Sequence, residues 1–250
     1  MKHRIQQALW GLALALLSQA AQAANITVSA AASLSNALRD IAPLFEAAHP
    51  GAKLQLNFGA SGALLQQIAK GAPADVFVSA DQEAMDQADA QKLLKAGTRR
   101  NLVSNSLVLI VPAAAQPPKA LAELAQPAYA RIAIGLPASV PVGRYTKAVL
   151  EGAGLWAAVE PKVIGASSVR QALDYVARAE VDAGFVYATD AALMPDKVKT
   201  ALVVPTTKPV LYPIAALAGA PNPADAAKFI DFLFTPPAQA VLLKYGFGKP

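Results

Sequence analysis

Cysteine is absent from this chain. That excludes disulfides and thiolate-bound metal. Histidine is nearly absent. Of two, His3 lies in the first few residues and His49 stands alone in the rest. A zinc site or a His-based catalytic triad has nothing to be built from. Charge is sparse, with Asp, Glu, Lys and Arg making up 16% of the residues. The basic residues are scattered, so the net charge of +5 carries no nucleic-acid footprint. Long apolar runs are also missing. Ala8 to Leu17 is short of a bilayer span, and no later stretch is long enough either.

What is present begins with a leader. Lys2, His3 and Arg4 form a positive start, Ala8 to Leu17 an apolar run, and Ala21-Gln22-Ala23 a small-x-small cleavage signature. This predicts a secretory signal peptide over residues 1–23 and a periplasmic product. The other reading is an uncleaved anchor. A lipoprotein signal would need a cysteine. Residues 24–250 carry a net charge of +3, and their length fits one large domain or two lobes of about 100 residues each.

Along those residues the pattern is α/β. Ile26 to Ala30, Lys53 to Phe58 and Asp75 to Ser79 read as strands, with helical apolar spacing over Leu34 to Ala48, Ala63 to Lys70 and Gln82 to Leu94. The second half repeats the rhythm. Leu107 to Val111, Arg131 to Gly135, Val163 to Gly165, Ala183 to Tyr187 and Leu211 to Ala218 read as strands, and Pro223 to Leu233 and Pro237 to Tyr245 as closing helices. The expected fold is α/β and two-lobed, each lobe a mostly parallel sheet flanked by helices. Lobe 1 takes 24–104 with 212–250, and lobe 2 takes 105–211. The hinge falls near Ser104 and Tyr212. Ligands of such sheets sit beyond the carboxyl ends of the strands.

Four segments share that position: AAASLSNAL (Ala30 to Leu38), FGASGALLQQI (Phe58 to Ile68), PVGRYTKAVL (Pro141 to Leu150) and ASSVRQALDYV (Ala166 to Val176). Each puts small or hydroxyl residues ahead of an apolar-periodic helix. A helix start offers unpaired N–H groups and the positive end of the macrodipole, which together suit an anion. One such segment is usually only a cap. Four, two in each lobe, point to a shared oxyanion.

NITVSAAASLSNALRDIAPLF, GAPADVFVSADQEAMD and the ending KYGF, with NSLVLIVP, VPVGRY and GFVYATDA between them, resemble the periplasmic molybdate-binding proteins of ABC importers. The resemblance covers essentially the whole of residues 24–250. It implies a two-lobed receptor, a monomer without cofactor, that closes on molybdate or tungstate and delivers it to a membrane permease. It implies ligand positions too: the hydroxyl and N–H of Ser33, Ser61 of FGASG, the backbone N–H of Val142 and of Val169, and the Tyr187 phenol. No protein group binds the metal directly. Ala60 and Gly62 stand where relatives can carry serine, and Val142 replaces a commoner alanine.

Each residue has a plainer reading. Ser33 and Ser61 can be helix caps, Val142 and Val169 ordinary packing, and Tyr187 a core tyrosine. Asp75 and Asp81 read as turn and cap residues rather than, with Glu83, a metal site. Arg144 and Arg170 read as surface or rim residues, and Arg99-Arg100 as a solvated pair. The rival functions are a receptor for sulfate or another tetrahedral oxyanion, a serine hydrolase using Ser33 or Ser61, and a ligand-free adhesion or sensor module. No base neighbours either serine in sequence, and the last function has no use for four donor turns.

Overall fold

A computed structural model describes residues 24–250. The predicted leader lies outside the described residues. The chain runs β1 (Ala24–Ala31), a 3-10 turn (Ala32–Leu34), α1 (Ser35–Ala48), β2 (Ala52–Gly59), α2 (Ser61–Ala69), β3 (Val76–Val78), α3 (Gln82–Ala90) and β4 (Arg100–Asn105). It crosses into β5 (Leu107–Pro112), β6 (Ile132–Gly135), α4 (Pro141–Gly152), α5 (Trp156–Val159), β7 (Val163–Ala166), α6 (Val169–Ala177), β8 (Ala183–Tyr187), α7 (Ala188–Ala191) and β9 (Val198–Val204). It returns through β10 (Val210–Ala216) and closes with α8 (Pro223–Leu233) and α9 (Pro236–Lys244).

Two five-stranded sheets result, ordered β2-β1-β3-β10-β4 and β7-β6-β8-β5-β9. The two-lobed α/β expectation holds, but the sheets are mixed rather than mostly parallel. β1 pairs parallel with β2 and β3, and β6 with β7 and β8. The strands that enter from the other lobe insert antiparallel. β10 lies between β3 and β4, and β5 between β8 and β9. Two strands had no sequence expectation. β4 and β9 are edge strands with only part of each buried, so neither is apolar along its whole length as a central strand is.

The parallel centre of the first sheet is apolar because both faces are covered: Ile26, Val28, Ala30, Val76 and Val78 are fully buried. α1 seals one face through Phe45, whose ring meets Phe229 at 5.2 Å and Phe232 at 5.4 Å, both edge-on. His49 stacks on Phe45 at 4.4 Å and bonds the Phe45 carbonyl through Nδ1 at 3.1 Å. The lone histidine is therefore part of the packing. Asp75, fully buried, flanks β3 as expected but reaches further. Its carboxylate accepts from the Thr27 N–H at 2.8 Å and the Asn222 N–H at 2.6 Å, tying β1 to the start of α8.

Candidate functional site

Each sheet opens at the carboxyl ends of its strands, where small residues keep backbone accessible. β1 runs out through Ala30 and Ala31 into the tight turn holding Ser33. β2 ends at Gly59, and Ala60 precedes α2, whose first residue is Ser61. Neither serine is a cap. The residues at the N-cap positions are Ala31 for the turn, Leu34 for α1 and Ala60 for α2, and none makes a side-chain cap bond. True caps occur elsewhere. Asp81 accepts from the Ala84 N–H at 3.1 Å, as its position predicted, and Ser168 from the Gln171 N–H at 3.2 Å.

The second lobe contributes the starts of α4 and α6. Pro141 opens α4, a position where its missing N–H costs nothing and its φ is already helical. Val142 follows, fully buried, and Val169 opens α6. Their N–H groups have no backbone acceptor among the described residues. Tyr187 ends β8 with its hydroxyl 3.4 Å from the Ala80 carbonyl, a long bond that commits the proton weakly. Burial pushes the Tyr187 phenol well above its ordinary pKa, so it stays a protonated donor.

Ser33, Ser61, Val142, Val169 and Tyr187 come together on one small cavity. The lining also includes Ala31, Gly59, Ala60, Ala80 and Val140, and none of the lining residues is charged. The donors converge from three helix starts, one 3-10 turn and one strand end. Such a set can surround an acceptor-only ligand with N–H and O–H groups. The Ser61 hydroxyl oxygen accepts from the Ala80 N–H at 3.0 Å, which leaves its own proton free. Among the described residues no cluster of three His, Asp or Glu side chains suits a metal ion.

The sequence profile of the bacterial extracellular solute-binding proteins matches residues 26–248. The chain belongs to that family. It is 39% identical over 230 residues to the molybdate-binding protein ModA of Escherichia coli K12, covering 89% of this chain and 88% of the relative. Among solved structures it resembles the substrate-binding domain of a putative molybdenum ABC transporter from Clostridium difficile, at 35% identity and TM-score 0.69, covering 91% of this chain and 99% of that one. The Azotobacter vinelandii periplasmic molybdate-binding protein superposes with TM-score 0.76 at 26% identity, covering 90% and 99%.

In this solute-binding protein the two lobes meet across the cleft through residues that the sequence did not single out for that work. Arg144 and Arg170, expected at the surface or rim, are instead mostly enclosed bridges. From α4, Arg144 sets Nε and Nη2 each 2.7 Å from Asp81 Oδ2, with the two side chains 15% and 5% exposed. From α6, Arg170 donates to Asn36 Oδ1 at 2.9 Å and to the Ser33 carbonyl at 3.1 Å. Its Nε lies 2.5 Å from Asp190 Oδ1 in an ion pair too poorly aligned to count as a hydrogen bond. Asp190 is fully buried, and that desolvation raises its pKa to about 6 against the lowering effect of Arg170. The Gly62 N–H also crosses, to the Ser139 carbonyl at 3.0 Å. Arg99 and Arg100 keep the solvent exposure expected of them, with side chains 31% and 44% exposed. They pair with Asp86 at 2.6 Å and Asp231 at 3.1 Å. All these pairings are between residues far apart in sequence, so no local spacing signals them.

Proposed function

We propose that this protein is a periplasmic receptor that binds molybdate, and tungstate with it, between its lobes and delivers it to the membrane permease of an ABC importer. One observation carries the reading. Donors from both lobes meet on a cavity with an uncharged lining, in a chain closely similar to named molybdate-binding proteins. In this reading Ser33 and Ser61 donate hydroxyl and backbone protons, Val142 and Val169 donate backbone N–H, and Tyr187 donates its phenol.

A tetrahedral dianion with four acceptor oxygens needs donors only. Each bond to a charged group contributes about 1.5–3 kcal/mol, and together they offset desolvation of the anion and ordering of the lobes. Burial of a formal counter-charge is unnecessary when enough dipoles converge. Hydrogen phosphate brings a proton that requires an acceptor, and leaving it unpaired costs about 1–3 kcal/mol. Sulfate has no such proton and must be rejected by size.

The lobes are taken as 24–104 with 212–250 against 105–211, hinged where β4 passes into β5 and where β9 passes into β10. An anion touching both lobes stabilises the closed form by its differential affinity, which is what a permease can recognise. Loss of residues 1–23 on export delivers the protein to the periplasm as a monomer without cofactor. A hydrolase is disfavoured, because Ser61 Oγ accepts from an amide and Ser33 Oγ lies 2.9 Å from a phenol, so neither meets a base.

The test is calorimetric titration of residues 24–250 with molybdate, tungstate, sulfate and phosphate. Tight, nearly equal binding of the first two is expected, with sulfate much weaker and phosphate weakest. Preference for sulfate would make this a sulfate receptor. Phosphate binding as tight as molybdate would overturn the donor-only site.

A further inference from the structure

We propose that Tyr212 is a positioning residue that fixes the direction of the Ser33 hydroxyl, so that Ser33 can only donate to a bound oxyanion. The inference rests on the proposed site and extends it to residues outside the cavity wall. Tyr212 is fully buried in β10 and does not line the cavity. Its ring packs edge-on between Tyr187 at 5.8 Å and Phe247 at 5.5 Å.

The proton directions follow from a short chain of bonds. At the crossover between the lobes, Asn105 Oδ1 accepts from the Ser106 N–H at 2.9 Å. An amide oxygen must face that N–H, so the other end of the side chain is the NH2 group. That Nδ2 donates to Thr189 Oγ1 at 2.9 Å and to the Tyr212 hydroxyl at 3.2 Å. The Tyr212 oxygen is thus already an acceptor. Its single proton goes to its remaining hydrogen-bond neighbour among the described residues, Ser33 Oγ, at 2.9 Å. Ser33 Oγ therefore accepts, and its own proton is released toward the cavity that Ser33 lines.

Three further facts agree. Burial holds the Tyr212 phenol well above its ordinary pKa, so the proton it must donate is always present. The Ser33 carbonyl is held separately by Arg170 at 3.1 Å, which fixes the backbone about which the hydroxyl turns. The other cavity serine is wired to the same end by different means, since Ser61 Oγ accepts from the Ala80 N–H. Both hydroxyl oxygens have an acceptor site filled from behind and a proton left for the cleft. A chain of this kind polarises each link toward the next. It also draws Thr189, beyond β8, into the same chain as Ser33, beyond β1.

The experiment is a double-mutant cycle on residues 24–250, with molybdate affinity read by calorimetry and melting temperature read without ligand. Tyr212→Phe keeps the ring and deletes the donor. It should weaken molybdate binding about tenfold in the otherwise unchanged protein and by less than about twofold in a Ser33→Ala background. Its effect on melting temperature without ligand should be smaller in the Ser33→Ala background, where the bond it deletes is already absent. Equal losses of affinity in both backgrounds, or no loss in either, would overturn the inference. If Tyr212→Phe fails to fold, Asn105→Ala replaces it. That variant frees the Tyr212 proton to turn away and should show the same dependence on Ser33. Failure of the unsubstituted protein to bind molybdate would instead overturn the proposed function on which this inference rests.

Discussion

Arg144 grips, from across the cleft, the same aspartate that caps α3. Asp81 Oδ1 accepts from the Ala84 N–H while Oδ2 takes two nitrogens of Arg144 at 2.7 Å. The start of α3 is thereby tied to the helix that presents Val142 to the cavity. Arg144→Leu strands the buried Asp81 charge at the closed interface only. It should reduce molybdate affinity about ten- to a hundredfold, the equivalent of about 1.5–3 kcal/mol. Asp81→Asn added to it should restore part of that, since the uncompensated charge is gone. Calorimetry on the single and double variants is the check, and a double variant no better than the single would remove the latch role.

Gly62 offers a cleaner way to oppose closure. A Cβ there would sit 2.8 Å from the Ser139 carbonyl oxygen and 2.9 Å from its Cα. Both neighbours are backbone of the facing lobe, so only separation of the lobes relieves the contact. In a helix, alanine is otherwise preferred to glycine by about 0.5–1 kcal/mol. Gly62→Ala should therefore weaken molybdate binding at least tenfold while the melting temperature without ligand holds or rises. Solution scattering should show a larger radius of gyration at saturating molybdate than for the unsubstituted protein. Unimpaired binding would show that the Gly62–Ser139 approach is not needed for closure.

The side-chain donors make a graded set. Ser61→Ala and Tyr187→Phe each delete one hydroxyl and should cost about 1.5–3 kcal/mol of molybdate binding, tenfold or more. Ser61→Ala also leaves the buried Ala80 N–H without its acceptor, so it should lower the melting temperature as well. Val142→Ala and Val169→Ala keep the backbone N–H and should matter far less for affinity. Larger losses from the valine changes than from the hydroxyl deletions would refute the assignment of roles.

Asp190 supplies a pH dependence with a definite sign. Burial lifts its folded pKa to about 6 from an ordinary value of 3.8. The folded protein then holds this proton more tightly than the unfolded chain. The group's contribution to stability is full below about pH 4 and is lost as pH rises through about 6. A shift of that size corresponds to about 2–3 kcal/mol. Urea unfolding of Asp190→Asn and of the unsubstituted protein at several points from pH 4 to 7 tests it. The stability difference between the two should change across that window, and parallel profiles would contradict it.

The helix starts were legible because their chemistry is local. Small residues, a serine and an apolar period occupy adjacent positions in AAASL and FGASG, and Pro141 marks its helix by φ alone. The cap reading of Ser33 and Ser61 was open in sequence because any serine before a helix can cap it. Only the backbone decides, and it puts Ala31 and Ala60 at those positions. The arginine bridges were not legible. Arg144 meets Asp81 and Arg170 meets Asn36 over separations of 63 and 134 residues, and a lone arginine after a turn looks the same whether it faces solvent or a facing lobe. β4 and β9 escaped for a related reason. An edge strand buries so little of itself that its pattern is set by what it pairs with.

One of those edges is already occupied. Beyond α9 the chain doubles back onto β4, where the Ser104 N–H donates to the Gly248 carbonyl at 2.9 Å and the Gly248 N–H returns to the Ser104 carbonyl at 3.0 Å. Ser104 Oγ adds a bond to the Lys249 carbonyl at 2.6 Å. An open strand edge is a template on which another chain can pair, and this one lies beside the passage between the lobes. The tail thus acts as a blocking strand. The pairing leaves this stretch of β4, which leads into the crossover to β5, no longer free to template a second chain.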